Sequence, residues 1–204
     1  MLLDDFNFSL QEGMKVALIG EEGNGKSTLL KVITDPKLVQ SYMEIKGQIS
    51  KSGEIIGYLP QIIGGDVLGQ TTDHYFQQKV DWAQFDYNQY YDLMRQMGFL
   101  ENRISQDITV RQLSGGEKIK FLLLCEMLQR PTILLLDEPS NDLDLESMKW
   151  LENFIITSKI PVMFVSHDEL LLERCANTII HLEQLRRKSK PQYTIASLPY
   201  GEYV

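Results

Sequence analysis

The glycine-rich stretch at residues 20–28 is the part of the sequence best suited to hold a phosphate chain. It follows the apolar run Lys15 to Ile19 and precedes residues 29–33, which have helical spacing. Glycines let successive backbone N–H groups turn towards an anion, the following helix N-terminus adds free donors, and the ammonium of Lys26 can reach terminal phosphates. In this context the motif predicts a nucleotide-binding loop made of Gly20, Glu21, Glu22, Gly23, Asn24, Gly25, Lys26, Ser27 and Thr28.

Two carboxylates end a second apolar run, Ile133 to Leu136. Parallel strands deliver the residues at their carboxyl ends to one edge of the sheet, so Asp137 and Glu138 are expected at the phosphate site. Asp137 and the hydroxyl of Ser27 suit Mg²⁺, which takes few protein ligands beside phosphate oxygens and water. Glu138 suits polarising a water that attacks the γ-phosphorus. These residues predict a bound nucleotide together with Mg²⁺.

The helix start Ser114-Gly115-Gly116-Glu117 has two interpretations. Ser114 and Glu117 fit a capping box, in which each side chain satisfies a backbone N–H of the other residue. The box does not explain the paired glycines, which weaken a helix start unless something must approach the backbone closely. The bare N–H groups and the serine hydroxyl therefore indicate a second anion site, and the capping box is the structural alternative.

His167 directly follows the apolar run Val162 to Val165 and Ser166, so it also lies at the carboxyl end of a predicted strand. A lone histidine is usually structural. Here the strand is expected to neighbour the one that ends in Asp137, which favours contact between His167 and a γ-phosphate. The other two histidines have no such context and are assigned no role.

The elements that must position these residues are short apolar runs that alternate with stretches of helical periodicity. This alternation is typical of an α/β domain with a mostly parallel core sheet flanked by helices. In Tyr42 to Pro60, by contrast, Met43, Ile45 and Ile49 are spaced by twos, which predicts a small antiparallel β piece. Residues 71–103 are rich in Gln, Tyr, Asp and Met without β-branched runs, which predicts a helical insertion.

Length and composition exclude several classes of protein. The 204 residues are enough for one core without disulfide or metal staples, and Cys125 and Cys175 are predicted to be reduced core thiols in a cytoplasmic protein. The longest apolar runs are too short for direct membrane insertion.

With 20 basic and 28 acidic residues the net charge is −8, which argues against non-specific coating of nucleic acid. A local basic cluster, more often a solvated segment than a binding site, is formed by Arg186, Arg187, Lys188 and Lys190.

The order of these motifs resembles the ATP-binding cassette (ABC) nucleotide-binding domain, a P-loop NTPase, from about Leu3 to Leu182. Besides the motifs above, the resemblance rests on Tyr58-Leu59-Pro60-Gln61 and on the loop at 140–144. It implies that Gln61 meets Mg²⁺ and the attacking water, that Asp144 closes the D-loop, and that His167 is the switch histidine on the γ-phosphate.

The resemblance also implies how the chain is divided. It is expected to be a single ABC ATPase domain over 1–204, with a core at about 1–63 and 108–185. A helical subdomain would occupy about 64–107, and a C-terminal tail would occupy 186–204.

In this family the signature of one cassette covers the ATP held by the P-loop of another, which accounts for two anion sites in one chain. Ser114, Gly115, Gly116 and Glu117 are therefore expected to act on a partner's ATP. The resemblance implies hydrolysis of ATP to ADP and phosphate in a head-to-tail dimer. The second ABC domain would be another copy of this chain or a tandem cassette.

The stretch Asp137 to Asp144 is similar to the DEPTN-x-LD of ABC-F proteins, which are soluble twin-cassette ATPases that act on ribosomes. The tail Leu198 to Tyr203 resembles the tyrosine-containing segment after their last strand. These likenesses favour a translation-associated cassette with the ribosome as a partner. The alternative is the ATPase subunit of an ABC transporter that pairs with a separate membrane permease.

A third interpretation is a truncated cassette that binds ATP with little hydrolysis. Only 19 residues precede Gly20, fewer than the family's first strand and adenine-stacking aromatic residue require. Phe6 and Phe8 are interpreted as core residues rather than as an adenine platform. Adenine stacking is then expected to be absent or supplied by another residue, and nucleotide affinity to be weak.

Overall fold

A computed structural model of the chain describes residues 6–51, 53–183 and 192–203. The predicted basic cluster of Arg186, Arg187, Lys188 and Lys190 lies outside the described residues. Its role as a solvated segment stays a prediction.

One twisted sheet forms the centre of the molecule. Its strands in the described ranges are β1 (Lys15–Ile19), β2 (Ile56–Leu59), β3 (Ile133–Asp137), β4 (Val162–Val165), β5 (Thr178–Glu183) and β6 (Gln192–Ala196). Their spatial order is β2-β3-β4-β1-β5-β6, and all neighbouring strands are parallel except β5 and β6. The predicted α/β class, with a mostly parallel sheet and a small antiparallel piece, is confirmed.

The antiparallel piece does not lie where the sequence pattern placed it. Residues 42–60 contribute β2, which runs parallel to β3 with Tyr58 opposite Leu135. The antiparallel pair is β5 with β6, where Ile180 faces Ile195. Period-two spacing gives a segment one apolar face but supplies no partner strand. Of the alternating residues before β2, Ile45 and Ile49 are exposed, Met43 is half-buried, and none of the three belongs to a strand.

Helices cover both faces of the sheet. Their bounds are α1 (Lys26–Thr34), α2 (Gly65–Leu68), α3 (Thr72–Lys79), α4 (Tyr87–Met97), α5 (Gly115–Met127), α6 (Leu145–Thr157), α7 (Glu169–Cys175) and α8 (Tyr200–Tyr203). Short 3₁₀ turns lie at Pro36–Leu38, Glu101–Arg103 and Val110–Gln112. Across the ranges that the structure covers, no helix combines the length and apolar character that a bilayer crossing needs.

The sheet separates two hydrophobic clusters. On one face Val16 and Leu18 of β1 pack with Leu29 and Leu30 of α1. On the other face the strands pack against α5, α6 and α7, and both free cysteines lie buried in this larger cluster. Because both faces of the inner strands are covered, those strands are continuous apolar runs in the sequence.

The segment between β2 and α5 is helical, with α2, α3 and α4 at residues 65–97. Most of its large side chains join the larger hydrophobic cluster, among them Tyr75, Phe76, Tyr90, Met94 and Met97. Three aromatic rings of the same segment are exposed, those of Trp82, Tyr87 and Tyr91.

The two N-terminal phenylalanines are half-buried against the α1 face of the sheet. Phe6 meets Tyr193 of β6 edge to face, with the ring centroids 4.9 Å apart. Both rings therefore pack as core side chains.

Candidate functional site

A cleft of about 630 Å³ opens at the carboxyl ends of the central strands β1, β3 and β4. It joins the glycine-rich loop to residues from three other stretches of the chain. Its lining consists of Glu22, Gly23, Gly25, Lys26, Ser27, Thr28, Gln61, Glu138, Asn141, Val165 and His167. The structure thus brings the predicted loop, Gln61, Glu138 and His167 together.

The loop between β1 and α1 depends on glycine at specific positions. Gly20, Gly23 and Gly25 all have positive φ angles, of 142°, 82° and 87°. A Cβ at Gly20 would also meet the carbonyl oxygen of Leu182 in β5. Gly25 is the N-cap of α1 without a side-chain capping bond, so the first N–H groups of the helix are left for a ligand.

Lys26 lies at the base of the cleft with its ammonium bound to the loop. Its Nζ donates to the carbonyl oxygens of Gly20 at 2.7 Å and Glu21 at 2.9 Å. Burial lowers the pKa of Lys26, and the nearby carboxylates of Glu138 and Glu22 oppose that shift. A cation so placed is available to an incoming phosphate chain.

The predicted metal ligands lie beside each other. The Ser27 hydroxyl donates to Oδ1 of Asp137 at 2.8 Å, and the Tyr58 hydroxyl lies 3.5 Å from Oδ2. Asp137 is buried, which raises its pKa, while the bond from Ser27 opposes the rise.

Hydroxyl, carboxylate and the Gln61 amide on the cleft wall are oxygen donors of the kind that Mg²⁺ prefers. In the part of the chain that the structure covers, no group of three or more His, Cys, Asp and Glu could hold a metal. The Ser27 hydroxyl, the Asp137 carboxylate and the Gln61 amide are few, hard oxygen donors, and such a set fits Mg²⁺, which takes its other ligands from phosphate and water.

Glu138 has an unusual backbone. Its φ is 49°, a left-handed conformation that costs a non-glycine residue on the order of 1–2 kcal/mol. The conformation is held by the Glu138 N–H, which donates to the Val165 carbonyl at 3.0 Å. Oε1 lies 3.3 Å from Nε2 of His167. Burial raises the pKa of Glu138, and His167 opposes the rise.

The signature residues do not line this cleft. Ser114 and Glu117 form the capping box: Ser114 Oγ accepts from Glu117 N at 3.2 Å, and Glu117 Oε2 accepts from Ser114 N at 2.9 Å. A Cβ at Gly115 would meet the carbonyl oxygen of Asp142, so close packing within the chain also requires glycine there. Gly115 lets the loop after β3 lie against the start of α5, and Gly116 leaves room for Ser147 of α6.

Asp144 lies at the end of that loop, outside the cleft lining. It is the N-cap of α6, and its carboxylate accepts from Ser147 N at 2.7 Å. This bond lowers the pKa of Asp144.

Two residues near the predicted site were not themselves predicted: Asn141, which lines the cleft, and Tyr58, which contacts Asp137. Asn141 lines the cleft because the turn after Glu138 folds back on itself, with Asn141 N donating to Glu138 O at 3.3 Å. Tyr58 reaches Asp137 because its side chain lies on the α1 face of β2. The sequence held a signal for each: for Tyr58, the alternation of side chains between the two faces of β2, and for Asn141, the family resemblance of residues 137–144.

Comparison with known proteins gives one family and many relatives. Residues 3–141 match the family described as "ABC transporter". The ribosome protection protein VmlR of Bacillus subtilis (strain 168) is 36% identical over 177 residues, which cover 87% of this chain and 30% of the relative. Elongation factor 3 of Pneumocystis carinii is 31% identical over 189 residues, which cover 92% of this chain and 17% of the relative. The chain thus spans less than a third of either relative.

Among solved structures, the ATP binding subunit of an ABC transporter superposes with a TM-score of 0.74. The match covers 97% of this chain and 84% of that subunit, at 24% sequence identity. It supports the fold.

Proposed function

The chain belongs to the ABC transporter family of ATP-binding cassettes, and from this membership we propose that it binds MgATP and hydrolyses it in a head-to-tail pair of cassettes. The observation that carries the proposal is the cleft at the sheet edge. The glycine-rich loop, Glu138 and His167 line one volume, and Ser27 of that loop donates to the buried carboxylate of Asp137.

Binding is assigned to the loop at 20–28. Its backbone N–H groups and the N-terminus of α1 face the phosphates, and Lys26 exchanges its two carbonyl partners for phosphate oxygens. Ser27, Gln61 and Asp137 would hold Mg²⁺, which when bound neutralises charge on the β- and γ-phosphate oxygens.

Hydrolysis is assigned to Glu138, Gln61 and His167, which line the same cleft. Glu138 accepts a proton from the attacking water, a role that fits a buried carboxylate off the metal. Gln61 orients that water, and His167 donates a hydrogen bond to the γ-phosphate while staying next to Glu138.

The signature and the D-loop complete the site in a partner. Ser114 to Glu117 and Asp144 lie outside their own cleft, so we assign them to the ATP bound by a second ABC domain, from another copy or a tandem cassette. In this proposal residues 1–63 and 108–185 form the core, 64–107 the helical subdomain, and 186–204 the tail.

For the biological role we propose a translation-associated cassette of ABC-F type that works in the cytoplasm with the ribosome as partner. The support is the likeness to two relatives, one named as a ribosome protection protein and one as an elongation factor. An ATPase subunit with a separate membrane permease is the alternative outcome of the test below.

The test uses Glu138→Gln, which removes the proposed base and keeps the size of the side chain. Steady-state ATP turnover should fall at least about a hundredfold. Binding of MgATP should persist, and light scattering should show an MgATP-dependent dimer, because the contacts made through the γ-phosphate are no longer lost.

The matched control is Glu173→Gln, the same change on the exposed face of α7, which should keep wild-type turnover. Retained turnover in Glu138→Gln would contradict the assignment of the base, and a monomer with MgATP would contradict the paired mechanism for this chain. Co-sedimentation of the trapped dimer with ribosomes supports the translation role. ATPase activity without such binding favours the transporter subunit.

A further inference from the structure

Two serines join the turns that carry Glu138 and His167. Ser140 lies two residues after Glu138, and Ser166 lies directly before His167. Their hydroxyl oxygens are 3.0 Å apart, although 26 positions separate them in the chain. Ser166 is only 3% exposed and Ser140 is half-buried, so this hydrogen bond is partly shielded from water.

The Ser166 hydroxyl oxygen takes part in two hydrogen bonds. The backbone N–H of Asp168 donates to Ser166 Oγ at 3.0 Å. A hydroxyl has one proton and two acceptor sites, so Ser166 can exchange a bond with Ser140 while it accepts from Asp168. Asp168 in turn caps α7, where its carboxylate accepts from Leu171 N at 2.9 Å. The start of α7 and the turn after β3 are therefore tied through one oxygen atom.

The position of the His167 ring depends on the turn that carries it, because most of the ring is exposed. Its side chain is 57% exposed, and its Nε2 lies 3.3 Å from Glu138 Oε1. Ser166 and Asp168 flank His167 in the chain, and the Ser166 hydroxyl joins them by accepting a hydrogen bond from the Asp168 N–H. On the facing turn, the Glu138 backbone is anchored to the Val165 carbonyl. A backbone hydrogen bond also joins His167 to Glu138. The bond between Ser140 and Ser166 adds a further tie between the turn that carries Glu138 and the turn that carries His167.

We propose that Ser140 and Ser166 are positioning residues that hold the His167 ring against Glu138, and that they serve hydrolysis rather than ATP binding. This inference rests on the proposed function, because it takes Glu138 and His167 to act together in ATP hydrolysis. Neither serine lines the cleft, so both act through His167.

The first experiment is a double-mutant cycle on kcat with Ser140→Ala and His167→Ala. Ser140→Ala should lower kcat about tenfold, which is the lower end of the loss seen when a residue that orients an active-site group is removed. The Kd for MgATP should stay within about twofold of the wild-type value. In the His167→Ala background the same change should have no further effect, because the group that Ser140 positions is gone. Ser140→Thr keeps the hydroxyl and should restore most of the rate.

Additive losses in the cycle would overturn the proposal, as would a loss of MgATP affinity equal to the loss in kcat. The matched control is Ser158→Ala, at the other end of β4, where the lost hydroxyl donates to Ile160 O at 3.0 Å. It should leave kcat unchanged.

The second experiment does not depend on hydrolysis. The chain has three histidines, so the ring C–H signals of His74, His167 and His181 can be assigned by NMR with single variants. In the nucleotide-free protein Ser140→Ala should shift the His167 signals and leave the other two in place. Unshifted His167 signals would overturn the positioning role even if the chain hydrolyses ATP. Shifted signals in a chain without ATPase activity would support the positioning while the proposed function fails.

Discussion

At the scale of single residues, the polar groups of the cleft are already paired with one another. The Lys26 ammonium is bound to two loop carbonyls, the Ser27 hydroxyl to Asp137, and Glu138 to His167. A buried charge without a partner is costly, so this pairing makes the nucleotide-free cleft stable. Each group must give up a protein partner when it meets phosphate, metal or water. The net gain from each new bond is therefore small, and nucleotide affinity depends on many such exchanges together.

The two cysteines allow a test of burial at the same scale. Burial raises the pKa of the Cys125 thiol and raises that of Cys175 to about 12. The thiolate is the reactive form, so a raised pKa leaves both thiols protonated and unreactive at neutral and mildly alkaline pH. We expect no fast reaction of the native chain with a disulfide reagent, and two reactive thiols per chain in guanidinium chloride.

The positive control for that measurement is Ser50→Cys, which places a thiol on exposed chain. It should react at once in the native state. A native thiol that reacts at a similar rate without this substitution would show that the larger hydrophobic cluster, which holds both cysteines, opens.

At the scale of elements, the contact between α5 and the loop after β3 depends on a missing side chain. Gly115→Ala would drive a Cβ into the Asp142 carbonyl, and backbone cannot move aside as a flexible side chain can. We expect the free energy of unfolding to fall by about 1–3 kcal/mol in urea titrations. The matched change is Gly65→Ala at the first residue of α2, where a Cβ meets nothing within 4 Å. It should be neutral or stabilising by up to about 1 kcal/mol, and equal losses in the two variants would contradict the close-approach explanation.

Some of these elements could be predicted from the sequence and others could not. β1, β3 and β4 were predictable because strands buried on both faces must be apolar throughout, and prolines at 131 and 161 bound two of them. The antiparallel piece was misplaced because alternation before β2 defines a face and not a partner. The contact of Ser140 with Ser166 could not be predicted, because the expected adjacency of β3 and β4 fixes neither their register nor the path of the turns that follow them.

At the scale of the whole molecule, charge opposes the proposed pairing. Each chain carries −8, so two copies carry −16, and two ATP molecules add more negative charge. Favourable contacts at the two composite sites must offset this repulsion. Repulsion between net charges acts over longer distances than those contacts, and salt therefore weakens it first.

Salt should accordingly favour the ATP-bound dimer of Glu138→Gln. Between about 0.01 M and 0.15 M ionic strength the Debye length falls from about 30 Å to about 8 Å, which screens the net repulsion and leaves short, buried contacts largely intact. We expect the dimer fraction, measured by light scattering at saturating MgATP, to rise across this range. Nucleotide occupancy measured in parallel separates this effect from a change in ATP affinity. A dimer fraction that falls with salt would show instead that complementary surface charges across the interface outweigh the net charge of the chains.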